Sequence, residues 1–218
     1  MTSTLFHVKQ TDIEWLRRLD VSRETITRLE AYVALLLRWS PTIRLISRGD
    51  EDRIWQRHVL DSLQIIPLLR SLVPPAGDFG SGAGFPGLIL SIALGWPWHL
   101  VESDGRKAAF LLEAARLTGA MVIVHRSRVE MTSLPPLKII TARGFASLTA
   151  LLSHAADKLA PEGVCFFYKG QSAASELTQA RHQWHMDVTC HQSLTNPSGV
   201  ILQISGVTRA RSLPLSNI

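Results

Sequence analysis

Apolar and polar positions follow two different patterns along the chain, and the change falls near residue 73. Before it, apolar residues recur at the three-to-four-residue spacing of a helix face. Ser22 stands where an N-cap is expected, ahead of a helical run of apolar positions: Ile26, Leu29, Val33, Leu36 and Leu37. Proline disfavours helical geometry in the residue before it, so this helix is predicted to end near Ser40-Pro41. A second helix is predicted over about 52–70, so residues 1–73 are predicted to form a helical extension.

After residue 73, short apolar runs alternate with helical stretches. Strand-like runs rich in β-branched or aromatic residues lie at 98–103, 121–125, 138–142 and 164–168, and helical stretches lie at 86–94, 105–118 and 147–160. This alternation predicts a parallel sheet with crossover helices. Asp78-Phe79 is predicted as a short first strand, and two late runs, 184–191 and 200–205, flank a turn. They predict an antiparallel pair that closes the sheet, so residues 74–218 form an α/β domain.

Composition fits a globular protein and leaves the partner open. Of 218 residues, 46% are hydrophobic and 19% are charged, which allows one full domain with a small appendage. No apolar run approaches the ~20 residues of a membrane-spanning helix, and no secretion signal is apparent, so a cytoplasmic protein is expected. The net charge of +5 favours an anionic partner such as nucleic acid, but no basic run makes that decisive.

A glycine-rich loop between the first strand and the next helix carries the main functional signal. Such a loop lets the backbone approach a ligand closely, with helix amides facing it. Gly82, Gly84 and Gly87 satisfy the G-x-G-x-x-G of dinucleotide binders. Asp78 with Gly80, Gly82 and Gly84 has the acidic-G-x-G-x-G form of methyltransferases. A lone glycine motif is weak evidence for either class.

Two acidic residues help to decide between these readings. Glu102 ends the second strand, where an acidic residue binds ribose hydroxyls in both classes. Glu130 follows the third strand, where a loop can border the adenine of S-adenosylmethionine, whereas dinucleotide binders have no fixed role for that position. By itself Glu130 could equally be a capping or surface residue. Together with the loop and Glu102, it favours a methyltransferase.

Several short motifs occur in an order and at spacings that are specific in combination. They are Arg57-His58-Val59-Leu60-Asp61-Ser62, Gly84-Phe85-Pro86-Gly87, Val101-Glu102-Ser103, Ser127-Arg128-Val129-Glu130, Ala142-Arg143 and Lys169-Gly170. With them the chain, from about residue 31 to 204, resembles the glucose-inhibited division protein B family. These are bacterial S-adenosylmethionine-dependent methyltransferases that act on guanine N7 in small-subunit (16S) ribosomal RNA.

The resemblance implies a fold, a cofactor and a set of site residues. It implies a Rossmann-like class I methyltransferase sheet, mostly parallel, with seven strands and an antiparallel last strand, behind an N-terminal helical extension. The cofactor would be S-adenosylmethionine, and the partner ribosomal RNA or the small ribosomal subunit, with a monomer as the expected state. The residues implied at the cofactor, including the loop glycines, are Gly80, Gly82, Gly84, Phe85, Glu102, Val129, Glu130 and Arg143.

The chemistry of guanine N7 makes Arg143 the candidate catalytic residue. N7 presents a lone pair and carries no proton, so methyl transfer needs positioning and no general base or metal. After the fourth strand there is no Asn/Asp-Pro-Pro-aromatic motif and no cysteine, and Arg143 stands in that place. It could hold the cofactor carboxylate, donate to the guanine, clamp a phosphate, or simply brace the loop.

Three further residues are candidates for RNA contact, each with a plainer alternative. Arg57 could bind RNA or form an intrahelical ion pair with Asp61, four residues on. His58 could face the RNA or pack between domains. Lys169 lies just past the fifth strand, at the ligand-binding edge of such a sheet, and could contact phosphate or be a solvated lysine.

Three other functions remain open at this point. A nicotinamide-dependent oxidoreductase would use the same glycine loop, but the sequence offers no serine, tyrosine and lysine set and no His-Asp pair for hydride chemistry. A methyltransferase for another RNA or a small molecule fits the loop equally well. A non-catalytic RNA-binding protein would have no need for an intact cofactor loop.

Overall fold

The helical extension forms a series of helices of unequal length in the structure, a computed structural model that describes residues 10–47 and 49–210. Its elements are α1 (Gln10–Arg18), α2 (Arg23–Ile43), a 3₁₀ turn (Glu51–Arg53), a π-helix (Trp55–Leu60), α3 (Asp61–Leu63) and α4 (Ile66–Leu69). The Ser22 hydroxyl accepts a hydrogen bond from the Thr25 amide at 3.1 Å, which confirms the predicted N-cap of α2. Within these described residues, no helix is long and apolar enough to span a membrane.

The predicted end of α2 near Ser40-Pro41 is wrong by about one turn. The helix continues to Ile43 with Pro41 inside it, and Arg44 closes it in the left-handed conformation, its amide donating to the Ser40 carbonyl at 2.9 Å. Pro41 lies in the last turn, so its missing N–H removes only one hydrogen bond near the end of the helix.

The second helix, predicted as continuous over 52–70, is divided in the structure. Residues Trp55–Leu60 form a π-helix, an uncommon wide turn that often occurs at functional sites. A turn at Gln64 and Ile65 then separates α3 from α4, where Pro67 occupies the first turn, a position that suits proline. Helical spacing alone cannot distinguish a π-turn from an α-turn, because both place apolar residues on one face.

The α/β part contains the seven-stranded sheet that the resemblance implied. The strands are β1 (Ala76–Phe79), β2 (Trp98–Val101), β3 (Val122–His125), β4 (Leu137–Arg143), β5 (Leu159–Lys169), β6 (Trp184–Gln192) and β7 (Val200–Arg209). The helices are α5 (Gly87–Leu94), α6 (Gly105–Thr118), α7 (Leu148–Ala156) and α8 (Ala173–Ala180). Strands β1 to β5 are parallel and β7 is antiparallel to both its neighbours, which confirms the predicted fold class.

The order of the strands decides where ligands can bind. It runs β3-β2-β1-β4-β5-β7-β6, so the chain winds one way from β1 and then reverses to place β4 on its other side. Ligands of open α/β sheets bind in the crevice that such a reversal leaves at the carboxyl ends of the strands. The loops after β1, β2, β3 and β4 all lie at this edge.

The helical extension and the sheet share one hydrophobic core. Tyr32, Leu36 and Leu63 of the extension belong to the same buried cluster as Trp98 and Leu100 of β2. A second cluster fills the other face of the sheet, under α7. The boundary expected at residue 73 stays a prediction, since this core passes across it.

The only two tyrosines of the chain join the extension to the α/β part. The Tyr32 hydroxyl of α2 donates to the Ala83 carbonyl in the glycine loop at 2.6 Å. The Tyr168 hydroxyl of β5 donates to the Ser62 carbonyl at 3.0 Å. Both bonds are buried, so each hydroxyl satisfies a carbonyl that water cannot reach.

Tyr32→Phe should lower the free energy of unfolding by about 1–2 kcal/mol, because it leaves the buried Ala83 carbonyl without a partner. Denaturation in urea, followed by circular dichroism, measures the loss. Ser175→Ala is the control, since it removes a hydroxyl-to-carbonyl bond of 2.9 Å in an exposed position and should cost little. Equal losses in the two variants would contradict the prediction.

Candidate active site

The glycine loop folds back over the end of β2. The amides of Gly80 and Ser81 donate to the Val101 carbonyl at 2.9 and 3.1 Å. Gly80 and Gly82 have φ of +69° and +58°, which favours glycine. A Cβ on Gly80 would collide with the ring of Phe145, so the close approach of the two segments also requires glycine there.

Gly84 lies at a close contact between the glycine loop and two helices. Its φ is +101°, and a Cβ there would lie 2.7 Å from the Leu88 Cβ and 3.2 Å from Leu111 Cδ2. Gly84 therefore packs against α5 and α6, and it does not line the cleft that the loop borders. The cofactor contact predicted for Gly84 stays a prediction.

A cleft of about 370 Å³ lies at the carboxyl edge of the sheet and is called the loop cleft below. Predicted cofactor residues that line it are Gly80, Gly82, Phe85, Glu102, Val129, Glu130 and Arg143. Other residues that line the cleft were not predicted as cofactor contacts, among them Ser81, Lys107, Arg128, Gly144 and Phe145. Each of these also stands in a loop or first turn after a strand, which is the signal that could have found them.

Glu102 ties the loop to the end of β2. Its Oε2 accepts a hydrogen bond from the Gly82 amide at 2.8 Å and its Oε1 accepts one from the Asp104 amide at 2.8 Å. A carboxylate has about four lone-pair positions, so both oxygens keep capacity for hydroxyl groups of a ligand in the cleft. Glu102 is thus at once a brace of the loop and a candidate ligand contact.

Arg143, at the end of β4, is held by the helical extension. Its Nη1 donates to Asp61 Oδ2 at 2.9 Å and to the Arg57 carbonyl at 3.0 Å, and its Nη2 lies 2.9 Å from His58 Nδ1. The guanidinium also lies over the ring of Phe85, 4.8 Å from its centroid. Both ends of its planar fork therefore have partners.

His58 is buried between the extension and the glycine loop. This agrees with the second of the two roles predicted for it, packing between domains. Its ring stacks on Phe85 with centroids 4.8 Å apart. Burial, and then the charge of Arg143, lower the pKa of His58 to about 4, so the ring is neutral at pH 7. Since arginine can only donate, Nδ1 accepts and the proton sits on Nε2, 3.4 Å from Asp50 Oδ2.

The comparisons with known proteins decide the family. The model of a family described as "rRNA small subunit methyltransferase G" matches residues 25–204. The chain belongs to this family. A ribosomal RNA small subunit methyltransferase G of Granulibacter bethesdensis is 48% identical over 212 residues, which cover 94% of this chain and 100% of the relative. Its namesake in Rhodospirillum centenum is 52% identical over 188 residues, covering 86% and 87%.

Solved structures with the same fold are distant in sequence. A putative O-methyltransferase from Klebsiella pneumoniae has a TM-score of 0.57 at 10% identity, covering 88% of this chain and 94% of that one. A ribosomal protein L11 methylase from Lactobacillus delbrueckii has a TM-score of 0.56 at 15% identity, covering 68% and 78%. At these identities they show the class I methyltransferase fold alone.

Membership of a methyltransferase family sets the nicotinamide-dependent oxidoreductase aside and makes S-adenosylmethionine the cofactor. The loop cleft fits this group. The residues that line it include Gly80 and Gly82, which have no side chain, and Glu102, whose carboxylate keeps capacity for hydroxyl groups.

The other candidates for RNA contact have partners that the sequence reading did not foresee. Arg57 Nε pairs with Asp50 Oδ1 at 3.1 Å, so the predicted ion pair with Asp61 is wrong, because Asp61 faces Arg143 instead. Lys169 is not the solvated lysine of the alternative reading. Its Nζ donates to the Ala146 carbonyl at 2.6 Å and to Glu176 at 2.8 Å, with 8% of its side chain exposed. It braces the loop after β4.

A second pocket of about 470 Å³ lies beside the loop cleft and shares Arg143 and Gly144 with it. It is called the second pocket below. The π-helix, the end of β5 and the turn between β6 and β7 also line it, through residues that include Arg57, Asp61, Tyr168, Lys169, Ser193, Thr195 and Asn196. These segments are far apart in the sequence, so no local pattern could have predicted the pocket.

Asp78 lies buried beneath the glycine loop. Its Oδ1 accepts a hydrogen bond from the Thr141 hydroxyl at 2.7 Å, whereas its Oδ2 has no side-chain partner. Burial raises the pKa of Asp78 to about 6, against the opposing effect of its hydrogen bonds. The carboxylate is therefore charged at pH 7 at a cost in stability.

Asp78→Asn should change how stability depends on pH. With a folded-state pKa near 6 and an ordinary value of 3.8, the stabilisation that Asp78 gives is complete below pH 4 and is lost as pH rises through 6. Relative to Asp78→Asn, the wild type should lose up to about 3 kcal/mol of unfolding free energy between pH 4 and 7. Urea denaturation at several pH values tests this, with exposed Asp157→Asn as the control. Parallel curves for wild type and Asp78→Asn would contradict it.

Proposed function

We propose that this chain transfers a methyl group from S-adenosylmethionine to N7 of a guanine in 16S ribosomal RNA. It acts as a monomer in the cytoplasm, on ribosomal RNA or the small ribosomal subunit. One observation carries the proposal beyond family membership. Arg143 forms part of the wall between the loop cleft and the second pocket, so a single guanidinium can contact both a cofactor and an acceptor.

The loop cleft is the proposed cofactor site. S-adenosylmethionine supplies a methyl group on a sulfonium, ready for direct displacement. Glu102 would accept hydrogen bonds from its ribose hydroxyls, and the backbone of Gly80 and Gly82 would allow the close approach. Val129 and Glu130, on the 3₁₀ turn after β3, would border the adenine.

The second pocket is the proposed acceptor site. Guanine N7 carries a free lone pair, so the enzyme has only to hold it in line with the methyl group and keep water out. Arg143 would donate to O6 on the guanine edge, which leaves the lone pair of N7 free for the methyl group. As a permanent cation, Arg143 cannot take a proton, which agrees with chemistry that releases none.

Residues at the rim of the second pocket would make the main contacts with the RNA backbone. Arg57 lies there with 52% of its side chain exposed and can exchange Asp50 for a phosphate. His58 and Lys169 were expected to contact RNA as well. We propose instead that neither contacts RNA directly. His58 would hold Arg143, and Lys169 would hold the loop after β4.

Methyl transfer from radiolabelled cofactor to purified small subunits and to free 16S ribosomal RNA tests the function directly. Label should appear in 16S ribosomal RNA, and cleavage at N7-methylated guanine should locate it at a single position. Label on another base atom, or on a small molecule alone, would contradict the proposal. Calorimetry with S-adenosylmethionine, and with NAD as the negative control, tests the cofactor separately.

Gly82→Ala should weaken S-adenosylmethionine at least ~10-fold, or about 1.4 kcal/mol, because the new methyl group would enter the space the ligand needs. In the protein itself nothing but the Gly80 carbonyl, at 3.8 Å, meets a Cβ there. Gly119→Ala is the matched control, since Gly119 has nearly the same φ of +66° and open space around it, away from the cleft. Equal cofactor affinity in the two variants would remove Gly82 from the site.

Arg143→Ala should reduce methylation of small-subunit RNA by at least ~10²-fold, the scale of lost positioning. Arg143→Lys should recover little, because a point charge cannot replace a planar fork that holds several partners at once. Initial rates at saturating cofactor and RNA, with thermal unfolding as a check on folding, measure both. Near-normal rates in a folded Arg143→Ala protein would exclude the residue from the active site.

A further inference from the structure

We infer that Asp61 and His58 are positioning residues for Arg143, so that the helical extension completes the active site. The inference rests on the proposed function for its kinetic consequence, but its structural core concerns contacts within the protein alone. The extension would then be a part of the catalytic machinery, beyond any role in stabilising the fold.

Three acceptors of the extension hold the guanidinium of Arg143. Asp61 Oδ2 and the Arg57 carbonyl hold Nη1, and His58 Nδ1 holds Nη2, all at 2.9–3.0 Å. The guanidinium carbon also lies over the Phe85 ring, 4.8 Å from its centroid. Holding the long side chain of an arginine costs rotamer entropy. Here folding has already met that cost before any ligand arrives.

The Arg143–Asp61 ion pair is largely shielded from solvent. Only 19% of the Arg143 side chain and 14% of the Asp61 side chain are exposed. Water screens such a pair less than a surface pair, and removing one partner would leave the other charge half-buried. Without Asp61, the guanidinium would therefore turn towards solvent or another acceptor.

Asp61 is itself held in place by its second oxygen. Its Oδ1 accepts hydrogen bonds from Gln64 Nε2 at 2.8 Å and from the Thr195 hydroxyl at 2.5 Å. The two carboxylate oxygens of Asp61 thus bind different partners. Oδ2 binds Arg143, and Oδ1 binds Gln64 and the turn between β6 and β7. Asparagine at this position can keep the Oδ1 contacts while its amide group faces Arg143 as a donor, which breaks the ion pair selectively.

One short segment of the extension, the π-helix and the residue after it, supplies all three acceptors. The carbonyl of Arg57 and the side chains of His58 and Asp61 converge on the same guanidinium from this turn and its end. A continuous α-helix was expected there. This short segment is therefore the part of the extension that contacts Arg143.

Arginine side-chain NMR tests the positioning without any reaction. In ¹⁵N-labelled wild type the Nη groups of Arg143 should give separate signals, since two different acceptors hinder rotation of the fork. Arg143→Lys assigns these signals by their loss. In Asp61→Asn they should merge, whereas in Asp20→Asn they should stay separate. Asp20→Asn breaks another Asp–Arg pair of the extension, 2.7 Å long and exposed.

A double-mutant cycle tests the functional consequence. Asp61→Asn should lower the methylation rate at saturating cofactor and RNA at least ~10-fold, as a misplaced catalytic group does. In the Arg143→Ala background the same change should cost less than ~3-fold, because a positioning residue has nothing left to position. Asp20→Asn should stay within roughly twofold of wild type, as expected for an exposed pair.

Two variants of His58, one of them conservative, provide a second test of the inference. His58→Asn keeps an acceptor near the place of Nδ1 and should retain much more activity than His58→Leu, which removes it. Separate Arg143 signals in Asp61→Asn, or equal rate losses in both Arg143 backgrounds, would overturn the inference. A wild type with separate signals but no methylation of 16S ribosomal RNA would instead overturn the proposed function.

Discussion

The ion pair between Arg143 and Asp61 is the contact on which the site depends. It joins the last residue of a parallel strand to a helix that precedes the whole sheet, across 82 positions of sequence. With less than a fifth of either side chain exposed, the pair persists only because its remaining hydrogen-bonding groups are also satisfied. Arg143 lines both the loop cleft and the second pocket and contacts His58, while Asp61 binds Thr195 in the turn between β6 and β7.

The fold and the cofactor wall could be predicted from local signals. Short β-branched runs alternating with helical stretches place β2, β3 and β4 within a few residues of their observed bounds, because the period of each element lies in its own sequence. In a parallel sheet the loops after successive strands meet at one edge. Gly80, Glu102, Val129 and Arg143 stand at or after the carboxyl ends of four strands in order, so the fold class predicts that they meet.

What could not be predicted depends on contacts between distant segments. Local spacing favours Arg57 as the partner of Asp61, but the tertiary partner is Arg143, and Arg57 turns to Asp50. Lys169, at the end of its strand, was predicted to contact phosphate or solvent, but its ammonium group pairs with Glu176 of α8. In each case a half-buried charge takes the partner that packing brings near, and sequence spacing carries no information about it.

The shared wall also gives the proposed reaction a direction. Guanine enters the second pocket neutral and offers acceptors to Arg143, so the guanidinium attracts it. Methylation at N7 leaves a positive charge on the ring, facing a cation that its partners hold in place. Like charges at such short range repel, most strongly where little water intervenes. Under the proposed function, the group that draws the substrate in would therefore also weaken binding of the methylated product.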